Sequence, residues 1–482
     1  MPDSFERSLG RIRHIHFVGI GGAGMSGIAE VLHNLGYQVT GSDKAENKVT
    51  RRLASLGIGI KAGHQAEFVR GADVVVYSSA VTQINPELIE AKKLRIPIIP
   101  RAEMLAELMR FKHGIAIAGT HGKTTTTSLI ASVLGEAGLD PTYVIGGLLN
   151  SSGTNARLGK GKYLVAEADE SDASFFHLQP IISVLTNIDA DHLENYSGDF
   201  SRLKKSFVEF LQNLPFYGLA IICVDDPVNR QIISAVSKPV RTYGIDYDAD
   251  ISATIIRQDK HKTWFHVAKR DQSDWMEIEL NLPGKHNVLN ALAAIAVGHE
   301  LCVPEDSMIN ALKNFQGIAR RCQFIGELEI AGHKVTLLDD YAHHPREIQA
   351  TINAIKSGWP GQRLVVIFQP HRYSRTRNLF EDFTQVLSEV DVLLLLDIYS
   401  AGEVPLPGSD SRSLCRAIRL RGKVDPVFIE KREEIADLLK TIVHQDDIIL
   451  VLGAGDVGTI APGLLQTFGI HQERNDERLH QK

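Results

Sequence analysis

One pattern governs this chain: a short apolar run, a glycine-rich or polar turn, then a stretch of helical periodicity, repeated along its length. Apolar runs fall at residues 14–19, 74–78, 114–118, 163–166, 181–186, 219–224, 364–368, 392–396 and 448–452. Helical patterns fill gaps at 26–35, 124–137 and 288–301. Strands that alternate with helices pair in parallel, because each parallel neighbour needs a crossover and the crossover helices cover both faces. The predicted fold class is therefore α/β, in doubly wound sheets. At about 150 residues per domain, 482 residues suggest three blocks. They are drawn at 1–107, 108–320 and 321–482. Residues 257–282 alternate apolar and polar side chains (Trp264, His266, Trp275, Glu277), which predicts an antiparallel excursion inside the second block. From His471 the chain is polar and charged and reads as a frayed tail.

Composition removes several classes. Charged residues make up 23% and hydrophobic ones 44%, which excludes a disordered, collagen-like or disulfide-built chain. A net charge of −6 offers no general basic field, so no nucleic-acid partner is expected. Cys223, Cys302, Cys322 and Cys415 form no C-x-x-C pair, so they read as ordinary thiols in a reducing compartment. No apolar run approaches the roughly 18 residues of a membrane span, and no membrane partner is expected. Asp3 and Glu6 stand at the N-terminus without a following apolar core, which argues against a signal peptide. The expected location is the cytoplasm.

Two glycine loops carry the chemistry. Residues 16–29 read HFVGIGGAGMSGIA, in which Gly19, Gly21 and Gly24 fit G-x-G-x-x-G between a strand and a helix. Missing side chains let the backbone approach a diphosphate, and the helix N-terminus points unpaired N–H groups at it. Asp43, 19 residues past Gly24, stands where an acid meets a ribose hydroxyl. A nicotinamide or flavin dinucleotide fits this pattern, and so does the UDP half of a nucleotide sugar.

Residues 115–127 read IAIAGTHGKTTTT. A strand ends at Ala118, and a loop shorter than the common P-loop, G-T-x-G-K-T, opens a helix. Lys123 would meet β- and γ-phosphates, and the Thr124 hydroxyl would hold Mg²⁺. The run at 163–166 then delivers Glu167, Asp169, Glu170 and Asp172, candidate metal carboxylates or a solvated acidic turn. His192 follows the run at 181–186 and is a candidate ligand for a second Mg²⁺, although imidazole is an unusual partner for so hard an ion. A dehydrogenase has no need of the second loop, and a nucleotide switch has no need of the first. An enzyme that spends ATP on a nucleotide-linked substrate needs both.

The ordered segments GIGGAGMSGIA (19–29), YSSAV (77–81), GTHGKTTTT (119–127), EADESDASF (167–175), TNIDADHLENY (186–196), GKHNVLNALAA (284–294), RRCQ (320–323), DDYAHHP (339–345), FQPHRYSRTR (368–377) and GAGDVG (453–458) resemble the Mur ligase family. Within it, GIGGAGM, DDYAHHP and FQPHRYSRT together resemble the alanine-adding branch; the branch that recycles a tripeptide resembles this chain in DDYAHHP but not in GIGGAGM or FQPHRYSRT.

The resemblance implies three domains: a Rossmann-like UDP-sugar domain, a central P-loop ATPase domain and a Rossmann-like C-terminal amino-acid domain. It implies UDP-N-acetylmuramate and L-alanine as substrates, with ATP and two Mg²⁺ ions, in peptidoglycan precursor synthesis. The expected assembly is a monomer or a weak homodimer. The resemblance assigns Gly19, Gly21, Gly22, Gly24, Met25, Asp43, Ser78 and Ser79 to the UDP-sugar. It assigns Gly119, Thr120, His121, Gly122, Lys123, Thr124, Thr125, Asn287, Asn290, Arg320 and Asp340 to ATP. Thr124, Glu167 and His192 would hold metal, with Glu170 the alternative to Glu167. Asn287 also reads as a helix cap. Arg320, Arg321 and Asp340 would flank ATP where the second and third domains meet. Tyr341, His343, Arg372 and Arg375 would face the amino acid, with the arginines clamping its carboxylate and a phosphate and His343 contacting the alanine or the new amide. Lys123, Glu167, His192 and His343 are the expected catalytic set. Some relatives carry a carbamylated lysine after the histidine; Lys204 and Lys205 lie near, and neither is assigned.

Overall fold

A computed structural model describes residues 9–470 apart from 79, 151–153, 171–173 and 192, and the statements below concern those residues. Three sheets organise them. The first joins β1 (His14–Val18), β2 (Gln38–Asp43), β3 (Gly59–Ala62), β4 (Val74–Tyr77) and β5 (Ile98–Pro100) in the order β3-β2-β1-β4-β5, all parallel. Winding reverses at β1, so a crevice opens at its carboxyl end, where the first glycine loop begins. The helix expected over 26–35 runs Ala23–Asn34 instead. Gly24 is a poor helix former, but burial of Met25, Ile28, Val31 and Leu32 carries the helix back to Gly22.

The second sheet contains β6 (His113–Ala118), β7 (Thr142–Val144), β8 (Ala156–Arg157), β9 (Tyr163–Glu167), β10 (Ile182–Leu185), β11 (Leu219–Cys223), β12 (Val240–Gly244), β13 (Ile251–Asp259), β14 (Lys262–Lys269) and β15 (Gln272–Leu280). Their order is β15-β14-β13-β12-β11-β10-β6-β9-β7-β8. β6 is parallel to both neighbours, β9 and β10. The second glycine loop therefore emerges between Glu167, which ends β9, and Thr186, which follows β10. β13, β14 and β15 are joined by the two-residue links 260–261 and 270–271, a connection only antiparallel strands can make. This is the excursion that the alternating pattern predicts.

The third sheet runs β16 (Gln323–Ile330), β17 (His333–Asp340), β21 (Ile448–Leu452), β18 (Leu364–Phe368), β19 (Val392–Leu396), β20 (Val427–Ile429). All pairs are parallel except the edge strand β16 against β17. Its central strands are apolar throughout because both faces are covered. Along β18, Leu364, Val366 and Phe368 enter one apolar cluster, and Val365 and Ile367 enter the other. Each such side chain contributes about 1.5–3 kcal/mol by leaving water.

The chain divides into two compact units: residues 1–257, 264–281 and 286–318, and residues 258–263, 282–285 and 319–482. The first two sheets, apart from 258–263, belong to the first unit. There a single apolar cluster runs from Ile15 and Phe17 to Ala116, Ala166, Leu185 and Ile222. Among the described residues no helix is long and apolar enough to cross a membrane.

Candidate functional site

The second glycine loop is clamped from one side. Thr120 N donates to Asn187 O (3.0 Å), and His121 N donates to Asn187 Oδ1 (2.8 Å). Asn187 Nδ2 returns a bond to His121 O (3.0 Å), where Thr186 Oγ1 also donates (2.7 Å). Asp189 N donates to Thr120 Oγ1 (2.8 Å), and Asp189 Oδ2 lies 3.2 Å from His121 Nε2. The glycines are required here. Gly119 (φ 127°) has no room for a Cβ, which would sit 2.1 Å from Thr186 Oγ1. Gly122 (φ 83°) would put its Cβ 2.7 Å from Asn290 Oδ1. Gly122 caps the helix Lys123–Glu136 in a left-handed conformation with no capping side chain, so its first-turn N–H groups remain available to an anion.

Lys123 folds back over this loop. Its Nζ donates to Gly119 O (2.6 Å), Thr120 O (3.2 Å) and both Glu170 oxygens (2.9 and 2.7 Å). Burial pulls the ammonium pKa down, but Glu170, Asp169 and Glu167 outweigh it and hold it above the ordinary value. Burial pushes the Glu170 carboxyl up, with Lys123 opposing. Of the two alternative glutamates, Glu170 is thus the partner of the lysine. Glu167, at the end of β9, accepts from Gly146 N (2.6 Å) through Oε1. Thr124 is buried in the first helical turn. Asn290 Nδ2 donates to Asn287 Oδ1 (3.2 Å), and Thr126 Oγ1 donates to Asn290 Oδ1 (3.1 Å). The two asparagines do share one helix face, and Asn290 backs the loop.

The first loop is held by its own sheet. Gly19 N and Ile20 N donate to Ser42 O (2.9 and 3.0 Å), and Gly21 N donates to Asp43 Oδ2 (2.7 Å). Asp43 therefore shapes the loop as well as standing at its mouth. Gly22 caps the helix Ala23–Asn34 without a capping side chain. The first loop opens on a cleft of about 240 Å³, lined by Gly22, Gly24, Met25, Ser78, Arg101, Val144, Gly146, Glu167 and Asp169 among others, so the carboxylates that follow β9 face the first loop across it. Arg101 Nη2 is 3.1 Å from Asp169 Oδ2 across it.

The second unit carries a separate cluster at the carboxyl ends of β17 and β18. His343 Nδ1 lies 3.0 Å from Tyr341 O and 3.4 Å from Glu347 Oε2. Its ring meets that of His371 edge-on at 5.8 Å, and His371 stacks on Tyr399 at 5.5 Å. Arg375 Nη1 is 3.4 Å from His371 Nδ1. Arg372 takes φ 71°, and its Nε is buried without a hydrogen-bond partner among the described residues. Such an orphaned donor suits an anionic ligand. Burial lowers the His343 pKa, with Glu347 opposing and Arg375 adding to the drop. Burial, His343 and Arg375 bring His371 down to about 4. Both imidazoles are neutral at pH 7.

Arg320 pairs with Asp339 (3.2 Å) rather than with Asp340. Asp340 gives Oδ2 to Cys322 N (2.7 Å) and Oδ1 to Ala342 N (2.6 Å), so its carboxylate fixes backbone. Burial raises it to about 6, against the pull of Arg321. Ser79, Asp172 and His192 lie outside the described residues, as does the tail from His471. Sequence reasoning missed Thr186, Asn187 and Asp189 as the loop clamp, although TNIDADH holds all three. It also missed Arg101, His371 and Tyr399.

Three family models match the chain: the Mur ligase family catalytic domain over residues 14–113, the Mur ligase middle domain over 117–298, and the Mur ligase glutamate ligase domain over 320–455. The UDP-N-acetylmuramate–alanine ligase MurC of Thermotoga maritima is 30% identical with a TM-score of 0.80, and the match covers 95% of this chain and 99% of that one. A murein peptide ligase of Psychrobacter arcticus is 25% identical over 95% of this chain and 99% of that one, with a TM-score of 0.68. MurF ligase of Thermotoga maritima, solved in complex with ADP, shares the fold at 17% identity, a TM-score of 0.60, and 89% and 94% coverage.

Proposed function

Because this chain belongs to the Mur ligase family of ATP-dependent peptidoglycan-precursor ligases, we propose that it joins L-alanine to the lactyl carboxylate of UDP-N-acetylmuramate. The observation that carries this reading is the cleft in which Gly22, Gly24, Met25 and Ser78 face Glu167 and Asp169. The diphosphate-type loop thus shares one space with Glu167 and Asp169, carboxylates whose charge also acts on Lys123 of the triphosphate-type loop, as phosphoryl transfer between two nucleotide-linked substrates requires. The likeness to an alanine ligase at 30% identity supports the choice of amino acid.

A lactyl carboxylate oxygen attacks the γ-phosphorus of ATP, ADP leaves, and an acyl phosphate forms. The alanine amine then attacks the acyl carbon and phosphate leaves. The first step brings two anions together. Lys123 and the uncapped helix N-terminus at Gly122 offset that repulsion at the phosphate oxygens. The oxygen donors Thr124 and Glu167 suit Mg²⁺, with His192 for a second ion. When bound, Mg²⁺ supplies charge neutralisation on the phosphate oxygens. Arg372 and Arg375 clamp the alanine carboxylate, and the neutral His343 contacts the amine without repelling it. The three blocks 1–107, 108–320 and 321–482 thus serve sugar, ATP and amino acid, and the reaction belongs in the cytoplasm.

ADP release in a matrix of UDP-sugars and acceptors with Mg²⁺ tests the reading. Turnover should need UDP-N-acetylmuramate and L-alanine together. Turnover with a peptide acceptor instead of alanine, or phosphate release without any sugar, would overturn it.

A further inference from the structure

Beneath the first glycine loop lies a carboxylate with no direct place in the cleft. Glu87 is 0% exposed, in the first turn of the helix Pro86–Lys93, where Asn85 Oδ1 accepts from its N–H (2.9 Å). A charge buried there is costly unless both oxygens are bonded. Both are. Oε2 lies 2.7 Å from His16 Nε2; Oε1 accepts from Ser42 Oγ (2.7 Å) and lies 2.8 Å from His64 Nδ1. His16 Nδ1 continues to Thr40 Oγ1 (2.8 Å), which His14 Nε2 also meets (2.7 Å). Burial works to raise the Glu87 pKa, but His16, Ser42 and His64 prevail and hold it below the ordinary value.

One side chain thus ties β1, β2 and the turn after β3 to a helix. Its outlet is Ser42. That residue gives its hydroxyl to Glu87 and its carbonyl to Gly19 N and Ile20 N, and its neighbour Asp43 takes Gly21 N. Three consecutive loop amides are therefore anchored on the two residues that end β2, which sets the course of the loop into its helix.

We propose that Glu87 is a positioning residue for the diphosphate site, acting through Ser42 to hold the glycine loop in the shape that receives the phosphates of the UDP-sugar. This rests on the reading of that loop as a UDP-sugar site. A carboxylate with a merely structural role would weaken both nucleotide sites together, or neither.

The test uses the full-length protein, with calorimetry of UDP and steady-state kinetics. Glu87→Gln should raise the Kd for UDP and the KM for UDP-N-acetylmuramate about tenfold. The KM for ATP should stay within twofold, and kcat at saturating sugar should be kept. Glu87→Asp should recover part of the loss. Ser42→Ala removes one link only and should weaken UDP about threefold, which decides the matter if Glu87→Gln does not fold. UDP affinity within twofold of the native value in folded variants would overturn the proposal. So would a parallel loss of ATP affinity. If the native protein itself bound no UDP, the reading of the loop would fall and the proposal with it.

Discussion

At the first glycine loop, the amides of Gly19, Ile20 and Gly21 end on the Ser42 carbonyl and the Asp43 carboxylate, both from the adjacent strand β2. At the second, the amides of Thr120 and His121 end on Asn187, and a lysine lies across the loop. Strand, glycine turn and uncapped helix are common to both. What differs is where the countercharge sits. The first loop offers an anion the first-turn N–H groups of its helix, with Arg101 reaching Gly24 from the separate helix 101–109; the second carries its positive charge, Lys123, in its own sequence. On the proposed reaction that matches the demand on each, since a diphosphate would only be held, whereas a triphosphate would also have to accept a carboxylate nucleophile. On the same reading, the cluster at β17 and β18 would be a third solution, in which arginine side chains replace the glycine loop.

The sharpest way to break this comparison is Lys123→Ala. ATP-dependent amide formation should fall at least about 10³-fold, with UDP-sugar binding by calorimetry unchanged. Substantial remaining amide formation would show that the countercharge is not what separates the loops. A second contrast concerns rigidity. Gly119→Ala forces a Cβ against Thr186 at a left-handed φ and should cost about 2–4 kcal/mol in denaturant unfolding. Gly21→Ala has no left-handed φ to strain but meets Asp43 Oδ2 and Asn47 Nδ2 at 2.8 Å and Thr50 Cγ2 at 3.1 Å, and should cost less, about 1–2 kcal/mol. Equal losses would mean that both loops are equally rigid. For the third solution, Arg375→Ala should raise the KM for alanine about tenfold and leave that for ATP alone. Weakened ATP binding with unchanged alanine dependence would move this arginine to the phosphates. A last contrast is a pH slope. His371 titrates near 6.5 in the unfolded chain and at about 4 in the fold, so the unfolded chain binds more protons between those values. Stability should therefore fall as pH drops from 6.5 to about 4, and His371→Asn should flatten that slope in urea unfolding at pH 7.5 and 5.

The sheets and both loops were legible because their signals are local: an apolar run, a glycine at a fixed offset, a lysine one residue on. The β13–β15 hairpin was legible from alternation alone. The edge strands β3, β5, β8, β16 and β20 escaped, as did β7 and β12, since runs that are short or, like GELEI, half polar do not stand out. Lys123 was legible, but its partner was not. That Glu170 meets the lysine while Glu167 meets Gly146 depends on where the turn after β9 carries each acid, and two acids three residues apart look alike in sequence. The bond between His16 and Glu87 spans 71 positions and leaves no pattern to find.

The grip of Glu170 on Lys123 bears on how nucleotide would arrive. An ammonium with two carbonyls and a carboxylate around it has already shed its hydration shell. A γ-phosphate reaching it would exchange one oxygen anion for another instead of stripping solvent from a bare cation. Glu170 thereby serves as an understudy for the phosphate, keeping the lysine facing its future partner.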